Sequence, residues 1–443
     1  MTVLELPDTT GFESAYERVV DAAERLEGRL ADLPAKPERT PRQQRDLDRD
    51  LDETRRARSA FMDGYAPRVY DELTSAGRAR PRLAKLVADA AEVFPGLVPT
   101  AAQMAAEAGR AQRDKDGLEI DQAIFVHGVL GARWCGHHLL DSMRLPTDRA
   151  LGLLAEFRDR GRVDLGTVVL ERAAGAAYLT MTDPQSLNAE TDALVAAMET
   201  AVDLVLLDPD VKVGVLRGGT VTHPRYAGRR VFSAGINLVH LHQGRISYLD
   251  FLIGRETGLL NKLLRGLHQP DPAGDWAVRD VQKPWIAAVD TFAIGGGMQL
   301  LFVMDRVIAA GDAYFSLPAA REGIVPGAGN LRLPRLAGNR IARQVILSGR
   351  SIRAAEAAAA LVCDEVVSPA AVDAAVDAAV AELAAPAVAP NRAMLTAAEE
   401  PQDAFRAYMA EFALQQGLRL YAADVMDKVS KFSARSGAAT EAR

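Results

Sequence analysis

Two glycine turns, each placed between an apolar run and a segment that can be helical, constrain this chain more than any other feature. The first turn, FSAGINL, spans residues 232–238 and follows the strand-like run 211–216. The second, IGGGMQL, spans residues 294–300 and follows the run 285–289. A glycine turn that opens a helix presents backbone N–H groups that have no intrahelical partner. Two such groups directed at one point form an oxyanion hole for a carbonyl oxygen that becomes negative during a reaction.

Length, charge and cysteine content restrict the class of protein. The 443 residues exceed a typical single domain, so two domains or one large, decorated domain are expected. The net charge of −7 gives no support for binding to nucleic acid or to an anionic membrane. The first residues lack the basic and apolar regions of a signal peptide, and acidic residues interrupt the Ala-rich tract 354–390. Two cysteines make no disulfide framework, so we expect a cytoplasmic protein without nucleic-acid or membrane partners.

The texture of the chain changes near residue 165. Before it, helical patterns cover residues 12–33, 40–75, 81–94, 99–112 and 120–143. After it, strand-like and helix-like segments alternate, which indicates an α/β core. The expected strands are 168–171, 177–181, 211–216, 285–289 and 306–309, and the expected helices are 189–206, 248–267, 297–304 and, near the C-terminus, 404–431. The pattern predicts a helical N-terminal domain over residues 1–165 and an α/β domain with C-terminal helices over residues 166–443.

The motifs from residue 283 onward resemble those of the crotonase, or enoyl-CoA hydratase/isomerase, superfamily. In order and nearly in spacing they are KPWIAAV, GGGMQ, MDRVIAA, GIVPGAG and LPRLAG, and TDPQSLNA and FSAGINL match upstream. The resemblance covers about residues 166–430. It implies the crotonase fold, in which repeated ββα units form a core surrounded by helices, and it implies an acyl-CoA ligand. Members usually assemble as trimers or dimers of trimers, so a homo-oligomer is expected.

The resemblance also assigns residues to the ligand. The two oxyanion donors of the family correspond to the N–H groups of Ile236 and Gly296. Contacts to CoA are implied for the first turn and for the loop before it, at His223, Arg225, Tyr226, Ala234, Gly235, Asn237 and Leu238. In that loop, a guanidinium can meet a phosphate and an aromatic ring can stack on adenine. A solvated surface loop is an equally open interpretation of the same residues.

Two departures from the family pattern concern acid–base chemistry. Hydratases of the family use two glutamates, which align here with Gln299 and Ala319. A glutamine can form hydrogen bonds but cannot act as a carboxylate base, and an alanine can do neither. Glu322 lies three residues beyond the second position and could substitute only through a different geometry. Standard hydration is therefore not expected, whereas stabilisation of an enolate is retained.

The chain resembles a branch of the family that oxygenates arylacetyl-CoA thioesters. The resemblance is carried by these two departures together with the helical N-terminal segment and the GINL and GGGMQ sequences. The resemblance implies that 3,5-dihydroxyphenylacetyl-CoA and O2 become 3,5-dihydroxyphenylglyoxylate and CoA through an enolate, as a step of antibiotic biosynthesis. It implies catalytic roles for Ile236, Gly296 and Gln299, and it places the anchors of the ring hydroxyls on Glu190 and Arg255. Two other functions stay open: a different enolate-forming reaction, namely isomerisation or thioester hydrolysis, and a non-catalytic CoA-binding scaffold.

The resemblance implies a reaction without metal or flavin, so no cofactor is expected; CoA is part of the substrate. The close histidine pairs 137–138 and 240 with 242 lack a second ligand pair at a metal-binding spacing, so structural or surface roles are expected for them. Apolar residues 298 and 300–302 follow the second turn and could line a space for O2, although core packing is the expected role for most of them.

Overall fold

A helical N-terminal region precedes an α/β region in the computed structural model, which describes residues 9–269, 280–426 and 428. The N-terminal helices are α1 (Thr9–Asp32), α2 (Pro41–Leu73), α3 (Leu83–Val93), α4 (Ala101–Ala108), α5 (Leu118–Gly131), α6 (Arg133–Met143) and α7 (Asp148–Arg160), with 3-10 turns at Lys36–Glu38 and Gln112–Asp114. Helix α2 begins near the predicted position because Thr40 and Gln43 form a reciprocal capping box. Helices α1 to α4 thus follow the predicted segments closely, whereas no predicted segment covers α7.

The single helix predicted over residues 120–143 is wrong, because two helices, α5 and α6, meet there at Ala132. Ala132 has an extended backbone, with φ −72° and ψ 115°. The guanidinium of Arg406 donates to the carbonyl groups of Leu130 and Gly131 at the end of α5, so that these acceptors have partners outside the helix. The break depends on a residue far along the chain, which a local helical pattern cannot reveal.

The α/β region contains a large sheet and a small sheet, and in part of the chain successive strands alternate between the two. Its strands are β1 (Arg162–Asp164), β2 (Val168–Ala173), β3 (Ala176–Met181), β4 (Val213–Gly218), β5 (Leu267–His268), β6 (Asp280–Val281), β7 (Trp285–Val289), β8 (Phe292–Ile294), β9 (Arg306–Ala310), β10 (Tyr314–Ser316), β11 (Ile352–Arg353) and β12 (Glu365–Val367). The large sheet has the order β1-β2-β3-β4-β7-β9-β12, and the small sheet has the order β11-β10-β8. β5 and β6 form a separate pair.

Two units of strand, strand and helix repeat within this arrangement. β7 belongs to the large sheet, β8 to the small sheet, and a helix follows; β9 and β10 repeat the order. The helices of the region are α8 (Asp192–Leu207), α9 (Leu238–His242), α10 (Asn261–Arg265), α11 (Gly296–Leu301), α12 (Ala319–Glu322), α13 (Gly329–Ser348), α14 (Val372–Leu383), α15 (Val388–Glu399) and α16 (Gln402–Arg419), with 3-10 turns at Ala357–Leu361 and Pro369–Ala371. The predicted crotonase fold, with N-terminal and C-terminal helices, is confirmed.

Three predicted helices differ from the structure in ways that affect the site. The segment predicted as one helix over 248–267 is wound as two π-helical stretches, Tyr248–Ile253 and Arg255–Leu260, before α10. Helix α8 starts only at Asp192, because the chain before it is extended and Glu190 bridges Ile236 as in a parallel sheet. The helix predicted over 404–431 ends at Arg419, and residues 427 and 429–431 lie outside the described residues. The wider turns of π-helices are frequent at functional sites.

The helical region and the sheets share one continuous hydrophobic core. Buried side chains of both, from Phe12 and Tyr70 to Trp285 and Phe405, belong to one cluster. Helix α16 packs along α5 within this core, so α16 is attached to the N-terminal helices. The domain boundary at residues 165 and 166 stays a prediction. Within the described part of the chain, no helix combines the length and the apolar character that a bilayer span requires.

Replacing Gly417 by alanine is expected to destabilise the protein, because a Cβ there would lie 2.6 Å from the Cβ of Ala123 on α5. Overpacking of this kind costs about 1–3 kcal/mol and exceeds the gain in helix propensity. Chemical denaturation measures the difference in the free energy of unfolding. Gly152→Ala is the matched control, since nothing lies within 4 Å of its added Cβ. Equal stability of the two variants would show that α16 and α5 are not in tight contact.

Candidate active site

The two glycine turns meet in the folded chain. Ser233 and Ala293 form a parallel bridge next to them, in which the Ile294 N–H donates to the Ser233 carbonyl at 3.0 Å. A Cβ added to Gly235 would lie 2.7 Å from the Ile294 carbonyl oxygen and 3.2 Å from the Gly296 nitrogen. Gly235 also has φ +81°, which side-chain-bearing residues rarely adopt. This turn therefore requires glycine both for its conformation and for its close approach to the second turn.

Two backbone N–H groups are free where the turns meet. Within the described ranges, neither the Ile236 nor the Gly296 N–H has an acceptor. Ile236 is held extended because the backbone of Glu190 forms hydrogen bonds on both sides of it. The Glu190 carbonyl accepts from the Asn237 N–H at 2.9 Å, and the Glu190 N–H donates to the Gly235 carbonyl at 2.7 Å. Gly296 is the first residue of α11, where an N–H has no intrahelical partner. Both residues line one cavity of about 110 Å³. The structure thus brings together the two predicted oxyanion donors.

A buried arginine organises the polar wall of this cavity. Arg255, on the second π-helical stretch, binds both carboxylate oxygens of Glu190 at 2.9 Å and the Glu256 carboxylate at 2.7 Å. It also donates to the Gly296 carbonyl at 2.8 Å and to the Gln299 side-chain oxygen at 3.2 Å. Burial alone would lower the pKa of Arg255, but the two carboxylates raise it above its ordinary value. The guanidinium therefore stays charged and connects the other predicted anchor, Glu190, to the second turn.

Glu256, which was not selected from the sequence, lines the cavity as well and extends this network to Arg332 and Glu400. Its second carboxylate oxygen accepts the Ala328 N–H at 3.1 Å and lies 3.7 Å from Arg332. Arg332 in turn binds Glu400 at 3.0 Å. All of these charged side chains are buried. The one local signal for Glu256 was its position beside Arg255, and the pairing depends on the π-helical winding.

The positions that align with the two family glutamates both lie in the cavity wall. Gln299 and Ala319 line the cavity and are buried. Gln299 accepts from Arg255 through its oxygen, while its side-chain nitrogen has no acceptor in the part of the chain that is described. A ligand can therefore receive a hydrogen bond from Gln299, but neither position provides a carboxylate. This arrangement agrees with the prediction that hydration is lost.

Apolar side chains form much of the remaining wall, but the residues considered from the sequence as a lining for O2 are not among them. Met298, Leu300, Leu301 and Phe302 are buried in the core, and none of them lines the cavity. The apolar lining instead comes from residues of several elements, and its larger aliphatic and aromatic members are Ile236, Leu238, Phe251, Leu252, Ile294, Leu317, Ile324, Val325 and Phe412. Phe412 and its neighbour in the wall, Gln416, belong to α16, and sequence reasoning missed both. No local motif signals them, since their place depends on the packing of α16.

The predicted CoA contacts divide into two groups. Ala234, Gly235 and Leu238 line the cavity. The side chain of Asn237 accepts from the N–H groups of Val239 and His240 at 3.1 and 3.0 Å, so it caps α9.

The loop residues lie outside the cavity lining, beside a separate aromatic cluster. Tyr226 packs edge-on against Phe292 with ring centres 5.2 Å apart, and His223 lies 5.9 Å from Tyr226. Arg225 is exposed, with its guanidinium carbon 5.4 Å from the centre of the Tyr226 ring. This loop therefore leaves one guanidinium and the edges of two rings accessible to a ligand that extends beyond the cavity.

The histidines near Cys135 bind protein groups. His138 lies 2.8 Å from the Tyr70 hydroxyl and 3.0 Å from the Gly77 carbonyl, and burial lowers its pKa. His137 lies 3.0 Å from the Asp403 carboxylate. Among the residues that the structure describes, no three side chains of the kinds that bind metals are grouped together.

Comparison with known proteins adds relatives of two kinds. Residues 171–423 match the family model described as enoyl-CoA hydratase/isomerase. Over 421 residues the chain is 54% identical to a (3,5-dihydroxyphenyl)acetyl-CoA 1,2-dioxygenase of Amycolatopsis orientalis, covering 95% of this chain and 96% of that protein. It is 31% identical over 209 residues to a short-chain-enoyl-CoA hydratase of Clostridium acetobutylicum, covering 47% of this chain and 71% of that protein. The first of these two alignments includes the N-terminal helices.

A solved structure shows the likeness of fold. The crystal structure of an enoyl-CoA hydratase/isomerase from Pseudoalteromonas atlantica T6c aligns with a TM-score of 0.50 and 21% identity. The alignment covers 61% of this chain and 97% of that one. Nearly all of that protein is therefore represented within this longer chain.

Proposed function

The chain belongs to the enoyl-CoA hydratase/isomerase family, and we propose that it oxygenates (3,5-dihydroxyphenyl)acetyl-CoA with O2 to give the arylglyoxylate and free CoA. The observation that carries this proposal is the 54% identity, over 95% of the chain, to a relative named for that dioxygenase reaction. The site supports it, because two free N–H donors are present while glutamine and alanine replace the hydratase glutamates.

The proposed reaction uses the two donors to make a carbanion. Loss of an α-proton from the thioester leaves an electron pair that spreads into the aryl ring and the thioester carbonyl. The N–H groups of Ile236 and Gly296 stabilise the charge on that oxygen, which makes the α-carbon more acidic. O2 then takes electrons from the enolate and bonds to the α-carbon as a peroxide. The peroxide attacks the thioester carbonyl and expels CoA, and cleavage of the O–O bond with loss of the second α-hydrogen leaves the keto acid.

The direct test supplies (3,5-dihydroxyphenyl)acetyl-CoA in air to protein treated with a chelator, and records O2 uptake together with CoA release. The proposal predicts equal amounts of O2 consumed and CoA released. CoA release without O2 uptake would indicate a thioester hydrolase, a shifted double bond would indicate an isomerase, and binding without turnover would indicate a non-catalytic scaffold. If chelation abolished O2 uptake and added metal restored it, the proposed absence of a cofactor would be wrong.

Gln299 is proposed to donate a hydrogen bond to the bound ligand, beside the Glu190 and Arg255 anchors of the ring hydroxyls. Gln299→Leu is expected to weaken binding of the dihydroxy substrate about 2- to 10-fold, since one hydrogen bond contributes about 0.5–1.5 kcal/mol. Phenylacetyl-CoA, which lacks the hydroxyls, is the internal control. Anaerobic titration calorimetry compares the two ligands, and equal losses for both would remove Gln299 from the recognition of the ring.

We further propose a homo-oligomer, either a trimer or a dimer of trimers. Exposed apolar side chains on α13 and α15 support it: Leu336, Leu347, Met394 and Leu395. Light scattering would show three or six times the chain mass of 47.6 kDa, and a monomer would contradict the proposal. The cytoplasmic location and the role in antibiotic biosynthesis stay predictions.

A further inference from the structure

The proposed reaction needs a group that accepts the α-proton, and the cavity offers few candidates. No histidine, cysteine, lysine or tyrosine is among the described residues that line it. The carboxylates in the wall are those of Glu190, Glu256 and Glu322. Glu190 and Glu256 are both bound to the guanidinium of Arg255, at 2.9 and 2.7 Å. Two of the three carboxylates are therefore committed to the arginine.

Glu322 differs from the other two in its surroundings. It is the last residue of α12 and is half-buried. Its carboxylate has neither a hydrogen bond nor an ion pair with any of the described residues. Burial raises its pKa, although the positive charge of Lys428 acts in the opposite direction. A general base is more effective as its pKa approaches the working pH.

Helix α16 fixes the backbone that follows Glu322. Three of its side chains bind segment 323–327, of which residues 324–327 line the cavity. The bonds run from the Arg419 Nε to the Gly323 carbonyl at 2.7 Å, from the Val325 N–H to the Gln416 Oε1 at 3.0 Å, and from the Tyr408 hydroxyl to the Gly327 carbonyl at 2.5 Å. Because α16 packs on α5, the N-terminal helices also support this wall. Glu322 is thus held at the cavity by the C-terminal helix and is not on a free loop.

We propose that Glu322 is the catalytic residue that accepts the α-proton, an inference that rests on the proposed function. The α-carbon–hydrogen bond breaks and its proton passes to a carboxylate oxygen of Glu322. The electron pair moves toward the thioester carbonyl, whose oxygen accepts hydrogen bonds from Ile236 and Gly296. No oxidant takes part in this step, since O2 reacts with the enolate afterwards. Glu322 thereby replaces the family glutamates from a position three residues beyond Ala319.

The test is Glu322→Gln, which removes the base and keeps the size of the side chain. We expect turnover of (3,5-dihydroxyphenyl)acetyl-CoA, measured as the rate of CoA release, to fall at least about 100-fold, as is typical for loss of a general base. Anaerobic substrate binding should change less than about twofold. With the α-dideuterated substrate, the slow variant should show a full primary isotope effect, since proton removal then limits the rate. Glu411→Gln is the matched control, because Glu411 is exposed on α16, and it should match the wild type.

Glu322→Asp provides a second variant in case the glutamine variant does not fold. It retains the carboxylate one methylene further back, so its turnover should exceed that of the glutamine variant and still show the isotope effect. A glutamine variant with wild-type turnover, or a slow variant of either kind without a primary isotope effect, would overturn the inference alone. Wild-type protein that neither consumes O2 nor releases CoA would contradict the proposed function, and the inference with it.

Discussion

Gly296→Ala is expected to reduce turnover of (3,5-dihydroxyphenyl)acetyl-CoA at least about 100-fold, which is the cost of losing one oxyanion donor. The added Cβ would lie 2.1 Å from a carboxylate oxygen of Glu190, and Glu190 cannot withdraw because Arg255 holds both of its oxygens. The second turn must therefore shift, and the Gly296 N–H moves away from the position where the Ile236 N–H also points. Initial rates of CoA release measure the effect.

The control for this prediction is Gly64→Ala on α2, where nothing lies within 4 Å of the added Cβ. Its turnover should equal that of the wild type. If Gly296→Ala kept at least a tenth of wild-type turnover, the N–H of Gly296 would not be an important donor, and the oxyanion hole would have to be sought elsewhere.

Arg255→Met is expected to lower the free energy of unfolding by about 3–5 kcal/mol, because it leaves buried carboxylates without their counter-charge. Glu190 would lose both of its contacts to the guanidinium. Glu256 would keep the Ala328 N–H and, as its remaining cation among the described residues, Arg332 at 3.7 Å. Turnover should be lost as well, since the Gly296 carbonyl and Gln299 lose the same donor. Urea denaturation followed by circular dichroism measures the loss of stability.

Two further variants separate this buried network from an ordinary ion pair. Arg255→Met combined with Glu190→Gln should recover about 1 kcal/mol or more, since one of the unpaired charges is gone. Arg25→Met breaks an exposed pair with Glu53 and should cost less than about 1 kcal/mol. If Arg255→Met were no more destabilising than Arg25→Met, the network would not stabilise the site.

Much of the fold and part of the site could be predicted because they depend on local sequence. The two glycine turns carry their conformational requirement in their own residues, and Gly235 indeed has a positive φ. The strands predicted over 168–171 and 177–181 are confirmed as β2 and β3, which pair antiparallel. The turn between them, at Ala174 and Gly175, has positive φ at both positions, which suits a tight hairpin. Glu190 and Arg255 were selected by resemblance and turn out to be paired.

The remaining parts depend on contacts between distant residues. The π-helical winding at Arg255 directs this side chain to Glu190 and Glu256 together, and a helical periodicity does not distinguish π from α winding. Phe412 and Gln416 reach the cavity only because α16 packs on α5. The apolar residues after the second turn, 298 and 300–302, could have lined the cavity or the core. They are buried in the core, and the cavity lining does not include them. Tertiary packing therefore determines which side chains face the ligand.

The proposed function requires that the enolate made at the two turns reacts with O2 and not with water. The most direct measurement supplies 18O2 with (3,5-dihydroxyphenyl)acetyl-CoA, reduces the keto product at once to prevent exchange with water, and determines its mass. The proposed function predicts that both labelled atoms are in the product, one on the former α-carbon and one in the carboxylate. Label in only one position, or product oxygen derived from H218O, would contradict it.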